Sequence, residues 1–119
     1  MLFDTTQLAL ERAISGASQR HAALAANLAN VNTPGYQRVD VDFHSALRGA
    51  LGADDAHAAV ERTAFSTQRD ATAVTRADGN SVDADAESAK LAANALEQQA
   101  AVTVAHTRIA ILKSAMGVN

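Results

Sequence analysis

Two stripes of apolar and small residues at opposite ends of the chain constrain its fold more than any other feature. In each stripe the steps alternate between four and three residues, which keeps the members on one face of an α-helix. The first stripe consists of Leu10, Ile14, Ala17, His21, Leu24, Leu28 and Val31. The second consists of Leu91, Ala95, Gln98, Val102, Ala105, Ile109, Leu112 and Met116. The stripes predict a mainly α fold, in which long N- and C-terminal helices pair as an antiparallel coiled-coil hairpin.

Local signals predict where the two helices begin and end. Asp4, followed three residues later by Gln7, resembles a capping box, and Asp83 is placed to cap the second helix. The first helix should end near Val31, because the residue before a proline avoids the helical conformation and several turn formers follow. Lys113 followed by Gly117 predicts the end of the second helix.

The segment between the helices is predicted to be irregular. We divide the chain into an N-terminal helix and turn (1–35), a connector (36–80) and a C-terminal helix (81–119). Residues 36–43 alternate in part between apolar and polar types, which suits a short extended segment. Residues 46–77 are polar and rich in alanine, which favours a flexible or partner-ordered stretch or a short β-hairpin.

The composition favours assembly over an isolated globule. The 119 residues include 29 alanines, and only 3% of the chain is aromatic. Burial contributes roughly 25 cal/mol per Å² of apolar surface, so such a chain stabilises a core of its own poorly. Spacing alone suits an ordinary two-helix core and an intermolecular coiled coil equally, and the alanine content favours the second. We therefore expect marginal order in the monomer.

Several functional classes are not expected. The net charge of −3 leaves no basic stripe for nucleic acid, and the lack of cysteine excludes disulfides and thiolate metal sites. Asp78 and the acidic residues after it suggest a turn and a helix cap rather than a calcium loop. The histidines lack metal-ligand spacing and are expected at surfaces or interfaces; they are His21, His44, His57 and His106. We predict no catalytic, cofactor-binding or metal-binding residues and no small-molecule substrate.

Targeting signals are also not expected. The first seven residues contain an acid and lack the basic and apolar regions of a cleaved signal peptide. No stretch approaches the roughly 20 apolar residues that a membrane span requires. A function outside the cytoplasm would therefore need another export route.

Residues 26–36 carry the most specific motif of the chain, N-L-A-N followed by T-P-G-Y. They resemble the N-terminal signature of the flagellar rod and hook family, with motif positions at Asn27, Asn30, Thr33, Pro34, Gly35 and Tyr36. Residues 37–43 resemble the continuation found in proximal-rod members, and 78–113 are similar to the C-terminal half of those members. The resemblance covers about residues 1–45 and 78–117. It departs at Gln98, where the family often carries an aromatic residue.

The resemblance implies a structural subunit of the bacterial flagellar basal-body rod and not an enzyme. It implies export through the flagellar type III apparatus without a cleaved signal, and assembly in the periplasm. The expected partners are copies of the chain, other rod subunits, the membrane ring and its adapter protein. The helices would pair around a tube that transmits torque and conducts exported subunits, and the stripe residues would make assembly contacts. We assign residues 30–36 to setting the angle at which the chain leaves the first helix.

Two rival functions come from other classes. One is a small secreted helical-hairpin interaction module that acts as a soluble dimer; such modules often carry a tryptophan-glycine motif at the bend, and this chain has no tryptophan. The other is a peptidoglycan-cutting rod accessory. It would need a separate catalytic domain with a poised carboxylate, which the chain is too short to hold beside a rod segment.

Overall fold

The computed structural model describes residues 4–118, in which two long helices pack side by side in opposite directions. The helices are α1 (Thr5–Ala29), α2 (Phe43–Leu51), α3 (Ala56–Arg62) and α4 (Ala84–Ala115). Strands β1 (Val39–Asp40) and β2 (Gln68–Arg69) form an antiparallel pair. The Asp4 end of α1 lies beside Arg108 and the Asn27 end beside Glu87, so α1 and α4 run antiparallel. The predicted fold class is confirmed.

The start of α1 follows from its N-cap. Asp4 Oδ1 accepts a hydrogen bond of 2.8 Å from the Gln7 backbone N–H, as predicted. The return bond of a capping box does not form among residues 4–118, because the buried Gln7 Oε1 has no partner there. Half of the predicted capping box is therefore present.

The ends of α4 also follow from local chemistry. The Asp83 carboxylate accepts backbone N–H bonds from Asp85 at 3.0 Å and Ala86 at 3.2 Å. At the other end, Gly117 adopts a φ of 70°, and the Val118 N–H donates to the Lys113 carbonyl at 3.0 Å. Both the predicted start and the predicted end of this helix are confirmed.

The bulky core lies between α1 and the middle segment. It consists of Ala17, Ala23, Val41, Phe43, Leu47 and Val60, with Leu8, Ala9, Ala13, Val39, Ala50 and Phe65 packed around it. The rings of Phe43 and Phe65 meet edge to face, with centroids 6.1 Å apart. The connector is thus more ordered than its polar composition indicated. It folds onto the face of α1 that is not covered by α4.

The two middle helices begin at local capping signals in the sequence. Asp42 accepts the Ser45 N–H and Asp55 accepts the Ala58 N–H, so each helix begins at an acidic N-cap. Phe43 and Leu47, four residues apart, form the buried face of α2. The short β1–β2 ladder, with Val39 opposite Arg69, joins the two ends of the middle segment.

The molecule is flat and elongated, with extents of 62 × 32 × 13 Å. From one edge to the other, α4, α1 and the α2–α3 pair lie side by side, with α1 in the middle. Among the described residues, every helix is too short or too polar to span a bilayer.

Candidate functional site

The turn after α1 and the turn before α4, about 40 residues apart in sequence, meet in one structural unit. We call this unit, residues 27–38 together with 76–87, the junction. The Gly35 N–H donates to the Asp78 carbonyl at 2.9 Å, and the Ser81 N–H donates to the Tyr36 carbonyl at 3.0 Å. Gly35 and Gly79 have φ values of 74° and 82°, and a Cβ on Gly79 would lie 3.2 Å from the Gly35 Cα. Glycine at both positions therefore allows the two turns to touch.

Asn27 connects the end of α1 to both sides of the junction. Its side chain is fully buried. The Nδ2 group donates to the Val39 carbonyl at 2.7 Å and to Glu87 Oε2 at 3.2 Å. The Oδ1 atom accepts from the Val39 N–H at 2.9 Å and from the Tyr36 hydroxyl at 3.2 Å. All four hydrogen-bonding positions of the amide are used, which a shorter or apolar side chain could not achieve.

Residues 30–36, which we call the signature turn, make mainly local contacts. Asn30 Nδ2 donates to the Ala26 carbonyl at 2.8 Å, and the Thr33 hydroxyl donates to Asn30 Oδ1 at 3.1 Å. Pro34 is exposed and Tyr36 is half-buried. These bonds close the turn after α1 and direct the chain toward Val39.

A buried ion cluster lies beneath the junction. Arg38 Nε contacts Glu87 Oε1 at 2.5 Å, Nη1 contacts Asp70 at 2.6 Å and Nη2 contacts Asp40 at 3.3 Å. Asp40 also pairs with Arg20 at 2.8 Å. Arg38 and Glu87 are only 4% and 1% exposed, so each depends on the other to balance its buried charge. The cluster joins α1, the β1–β2 ladder and the first turn of α4.

Three members of the cluster, Arg38, Asp40 and Asp70, have pKa values that favour the charged state. Burial alone would lower the pKa of Arg38, but hydrogen bonds to Glu87 and Asp70 raise it. Hydrogen bonds from the Thr72 hydroxyl and backbone N–H, and then from Arg38, lower the pKa of Asp70 to about 2. Burial opposes the charge of Asp40, yet the bond from Arg20 and the Val41 N–H still lower the pKa of Asp40.

The seam between α1 and α4 uses the predicted first stripe, but only half of the second. On α1, Ala17 and Leu24 are buried, His21 is exposed, and the half-buried members are Leu10, Ile14 and Leu28. Val31, also half-buried, lies in the turn after the helix. On α4, Ala105 is buried and Leu91, Gln98 and Leu112 are half-buried. The exposed members are Ala95, Val102, Ile109 and Met116. The expectation that the two stripes bury each other is wrong for these four residues and for His21.

Polar contacts explain the difference in α4. Asn94, Ala101 and Arg108, each one residue before an expected seam position, face α1 instead. Asn94 Nδ2 donates to the Ala17 carbonyl at 2.8 Å, and Arg108 pairs with Asp4 at 2.8 Å. Glu87, in the first turn of α4, lies on the same face of the helix and pairs with Arg38. These contacts set the rotation of α4 about its axis, and spacing of apolar residues alone could not reveal them.

The histidines lie apart from one another, and the acidic residues that follow Asp78 form a turn and a helix cap. His44 pairs with Glu97, His57 Nδ1 lies 3.4 Å from the Thr5 hydroxyl, and His21 and His106 are exposed. Within residues 4–118 no three side chains of metal-binding type form a group. The Asp78 carboxylate accepts the Asn80 N–H at 3.0 Å, which closes the turn before the Asp83 cap. These contacts agree with a turn and cap at 78–83.

Comparison with known proteins identifies the family. A family model described as "Flagella basal body rod protein" matches residues 8–37, which comprise most of α1 and the signature turn. The flagellar basal body rod protein FlgB of Escherichia coli K12 is 38% identical over 105 residues, covering 75% of this chain and 76% of the relative. The chain belongs to the FlgB family. Two further FlgB proteins are similar over most of their length.

FlgB of Salmonella typhimurium LT2 is 34% identical over 110 residues, covering 79% of this chain and 80% of the relative. FlgB of Proteus mirabilis HI4320 is 32% identical over 125 residues, covering 91% of this chain and 88% of the relative. As a member of the FlgB family, the chain is a structural component of the flagellar basal body rod. It associates there with other components of the basal body.

Proposed function

We propose that the chain is a proximal-rod subunit, which assembles with copies of itself and other rod subunits into the tubular drive shaft. This shaft transmits torque and conducts exported subunits through its lumen. The observation that carries the proposal is the apolar surface on the second half of α4. Val102, Ile109 and Met116 flank one side of the buried line, and Val104 and Ile111 flank the other.

Each of these five large apolar side chains is substantially exposed. These five side chains retain between 38% and 62% of their surface exposed, and Leu96 retains 69%. A small protein gains little from leaving its few bulky residues in water, and two exposed apolar rows along one helix are typical of a surface that contacts neighbours. We propose that neighbouring subunits cover it, and that Ala95, Val102, Ile109 and Met116 make intermolecular contacts.

The shape of the subunit suits a tubular array. The α1–α4 pair is long and narrow, and the molecule is only 13 Å thick. Head-to-tail contacts between identical subunits that do not close into a ring generate a helical filament. Paired helices packed side by side around an axis would form the tube, and the junction would set the direction in which the middle segment leaves it.

The remaining parts of the proposal concern location and partners. We propose that the subunit leaves the cell interior through the flagellar type III export apparatus, without a cleaved signal peptide, and joins the rod in the periplasm. There it would contact the membrane ring and the adapter protein between ring and rod. This role is structural and requires no cofactor, substrate or catalytic residue.

A charged substitution on the exposed apolar surface tests the proposal. Ile109→Asp changes a residue that is 42% exposed, so the monomer should keep the circular dichroism spectrum and urea midpoint of the parent chain. Incorporation into rods should be lost, because a charge would be buried against a neighbour. Leu24→Asp is a poorer test, because Leu24 is fully buried and its replacement would unfold the subunit itself.

The matched control is Thr107→Asp, which places the same charge on the same helix at an exposed polar position two residues away. Swimming in soft agar and isolation of basal bodies, in a host whose own gene has been deleted, give the two readouts. Thr107→Asp should restore swimming and Ile109→Asp should not. If Ile109→Asp were incorporated as well as the parent chain, the proposed assembly surface would be wrong.

A further inference from the structure

One buried side chain, Asn80, links the end of α1 to the start of α4. It is fully buried, and its Nδ2 group lies 2.9 Å from the Asn30 carbonyl, 3.2 Å from that of Val31 and 2.8 Å from that of Thr33. Its Oδ1 accepts the Val82 N–H at 2.7 Å. These carbonyls belong to Asn30, the C-cap of α1, and to the turn that follows it, so this amide holds the end of α1 from a distant part of the chain.

The backbone around Asn80 is fixed as well. Its N–H donates to Asp78 Oδ1 at 3.0 Å, and its carbonyl accepts the Arg76 N–H at 2.8 Å. Arg76 Nη2 reaches the Val31 carbonyl at 2.5 Å, so a second group of the same turn binds the end of α1. Asn80 therefore has no freedom to move without disturbing the turn that precedes α4.

The chemistry of the site requires an amide of this length. The three carbonyls need N–H donors, and the Val82 N–H needs an acceptor. A carboxylate supplies the acceptor but would direct negative oxygens at three carbonyl oxygens. An alanine supplies neither, although Asn30, Val31 and Thr33 keep bonds to other donors.

The rest of the α1–α4 contact is weakly directional. Apart from Leu24, its buried residues are small or polar, as at Ala17, Asn94 and Ala105, and the Oδ1 of Asn94 has no partner within residues 4–118. Interlocking bulky side chains, which fix the angle between helices elsewhere, are scarce along this seam. At the far end the helices are tied by the Arg108–Asp4 pair, whose side chains are 34% and 47% exposed. Because an exposed ion pair contributes little, the angle between the helices is set mainly by the buried contacts of the junction.

We infer that Asn80 is a positioning residue, which locks the end of α1 to the start of α4 and so fixes the direction of α4 along α1. Asp83, the cap of α4, follows Asn80 by three residues, so a shift of Asn80 is passed directly to the helix axis. Thr107 lies about 36 Å along α4 from this cap, and a tilt of about 10° would displace it by about 6 Å.

Distances between spin labels on the full chain test the inference. The chain has no cysteine, so pairs of introduced cysteines take labels at defined places. One pair, at the exposed positions His21 and Thr107, reports on α1 against α4; a second pair, at the exposed positions Ser15 and Arg48, reports on α1 against α2. Asn80→Asp should broaden or shift the first distance distribution and leave the second unchanged.

The matched control is Asn32→Asp, which makes the same change at an exposed residue of the turn that Asn80 caps. It should leave both distributions unchanged. Asn80→Ala should change the first distribution in the same way but by less than Asn80→Asp. If the aspartate variant does not fold, the alanine variant decides the test. Equal broadening of both pairs would indicate a merely structural role and overturn the inference, as would an unchanged first pair.

The consequence for assembly rests on the proposed function. If the angle of α4 matters for packing into the rod, Asn80→Ala should reduce swimming to the level of the deletion strain, and Asn32→Ala should not. A changed first distance with normal swimming would overturn the link from Asn80 to assembly. Normal swimming of the deletion strain itself would instead refute the proposed function, so the two failures are distinguishable.

Discussion

Gly16 lies directly against the first residue of α2, and its replacement by alanine should destabilise the protein although alanine favours helices. A Cβ built on Gly16 would lie 2.6 Å from both Cβ and Cγ of Phe43. Carbon atoms in contact normally lie about 3.5–4.0 Å apart, so Phe43 would have to retreat by about 1 Å. Phe43 is 1% exposed and is packed against Phe65, which leaves little room for this movement.

Two opposing effects decide the magnitude. In the interior of α1, alanine should gain about 1 kcal/mol over glycine. Overpacking of a buried contact costs about 1–3 kcal/mol and sometimes more, and here it involves backbone-proximal atoms that cannot rotate away. Because these atoms cannot rotate away, we take the upper part of that range, about 2–3 kcal/mol. We therefore expect a net loss of about 1–2 kcal/mol in the free energy of unfolding for Gly16→Ala.

Gly49 provides a matched control, because it lies inside α2 and is exposed. A Cβ on Gly49 would meet no other described atom within 4 Å, so Gly49→Ala should stabilise by about 0.5–1 kcal/mol. Urea unfolding followed by circular dichroism at 222 nm measures both variants at constant m-value. The same substitution should thus shift the midpoint in opposite directions. A Gly16→Ala midpoint at or above that of the parent chain would refute the packing argument.

Two further predictions concern the ion cluster and α4. The pKa of Asp70 is the ordinary aspartate value of 3.8 in the unfolded chain and falls to about 2 in the folded chain. The contribution of Asp70 to the stability of the folded state is therefore complete above about pH 4 and is lost as the pH falls toward 2. Asp70→Asn should lower the urea midpoint at neutral pH and flatten its decline below about pH 4, and parallel pH curves for the two chains would contradict this. In the isolated subunit, amides of residues 101–115 should exchange faster than those of residues 13–27, because few bulky contacts hold the second half of α4. Circular dichroism should accordingly show less helix than both full segments supply, and uniform slow exchange would contradict both expectations.

The long helices could be predicted from sequence because their causes are local. Asp83 caps the first turn of α4 through neighbours only two and three residues away, and Gly117 ends the helix in the same local manner. Heptad spacing then extends the signal over many turns. Such features do not depend on distant contacts, and the sequence therefore predicts the positions and approximate lengths of both long helices.

The middle segment could not be predicted in the same way. Its helices are only nine and seven residues long, and their apolar residues are too few to form a periodic pattern. Phe43 and Val60 are buried because α1 presents glycine and alanine to them, as at Gly16 and Ala23. The polar composition of residues 46–77 indicated a connector, whereas a small number of well-placed large residues was sufficient for a core.

The junction was only half visible in the sequence. Both turn motifs could be recognised, with a role for glycine at Gly35, but nothing in either segment indicated that they touch. The partners of Arg38 illustrate the difficulty, since Asp70 and Glu87 lie 32 and 49 residues away. An arginine inside a partly alternating strand pattern indicates a buried ion pair, because a charged side chain on the inner face must find an opposite charge.

The rotation of α4 has a physical consequence for the proposed rod function. The helix has few large apolar residues in its second half, and each can be buried on one side only. If Val102 and Ile109 faced α1, the monomer would gain burial, but these side chains could no longer contact a neighbour. The polar contacts of Asn94 and Arg108 instead hold α4 with the small and polar side inward, and the bulky residues remain exposed. A weak intramolecular seam and the proposed intermolecular surface would therefore be two results of one rotation. Substitutions that make the seam more apolar should stabilise the subunit and impair its assembly together.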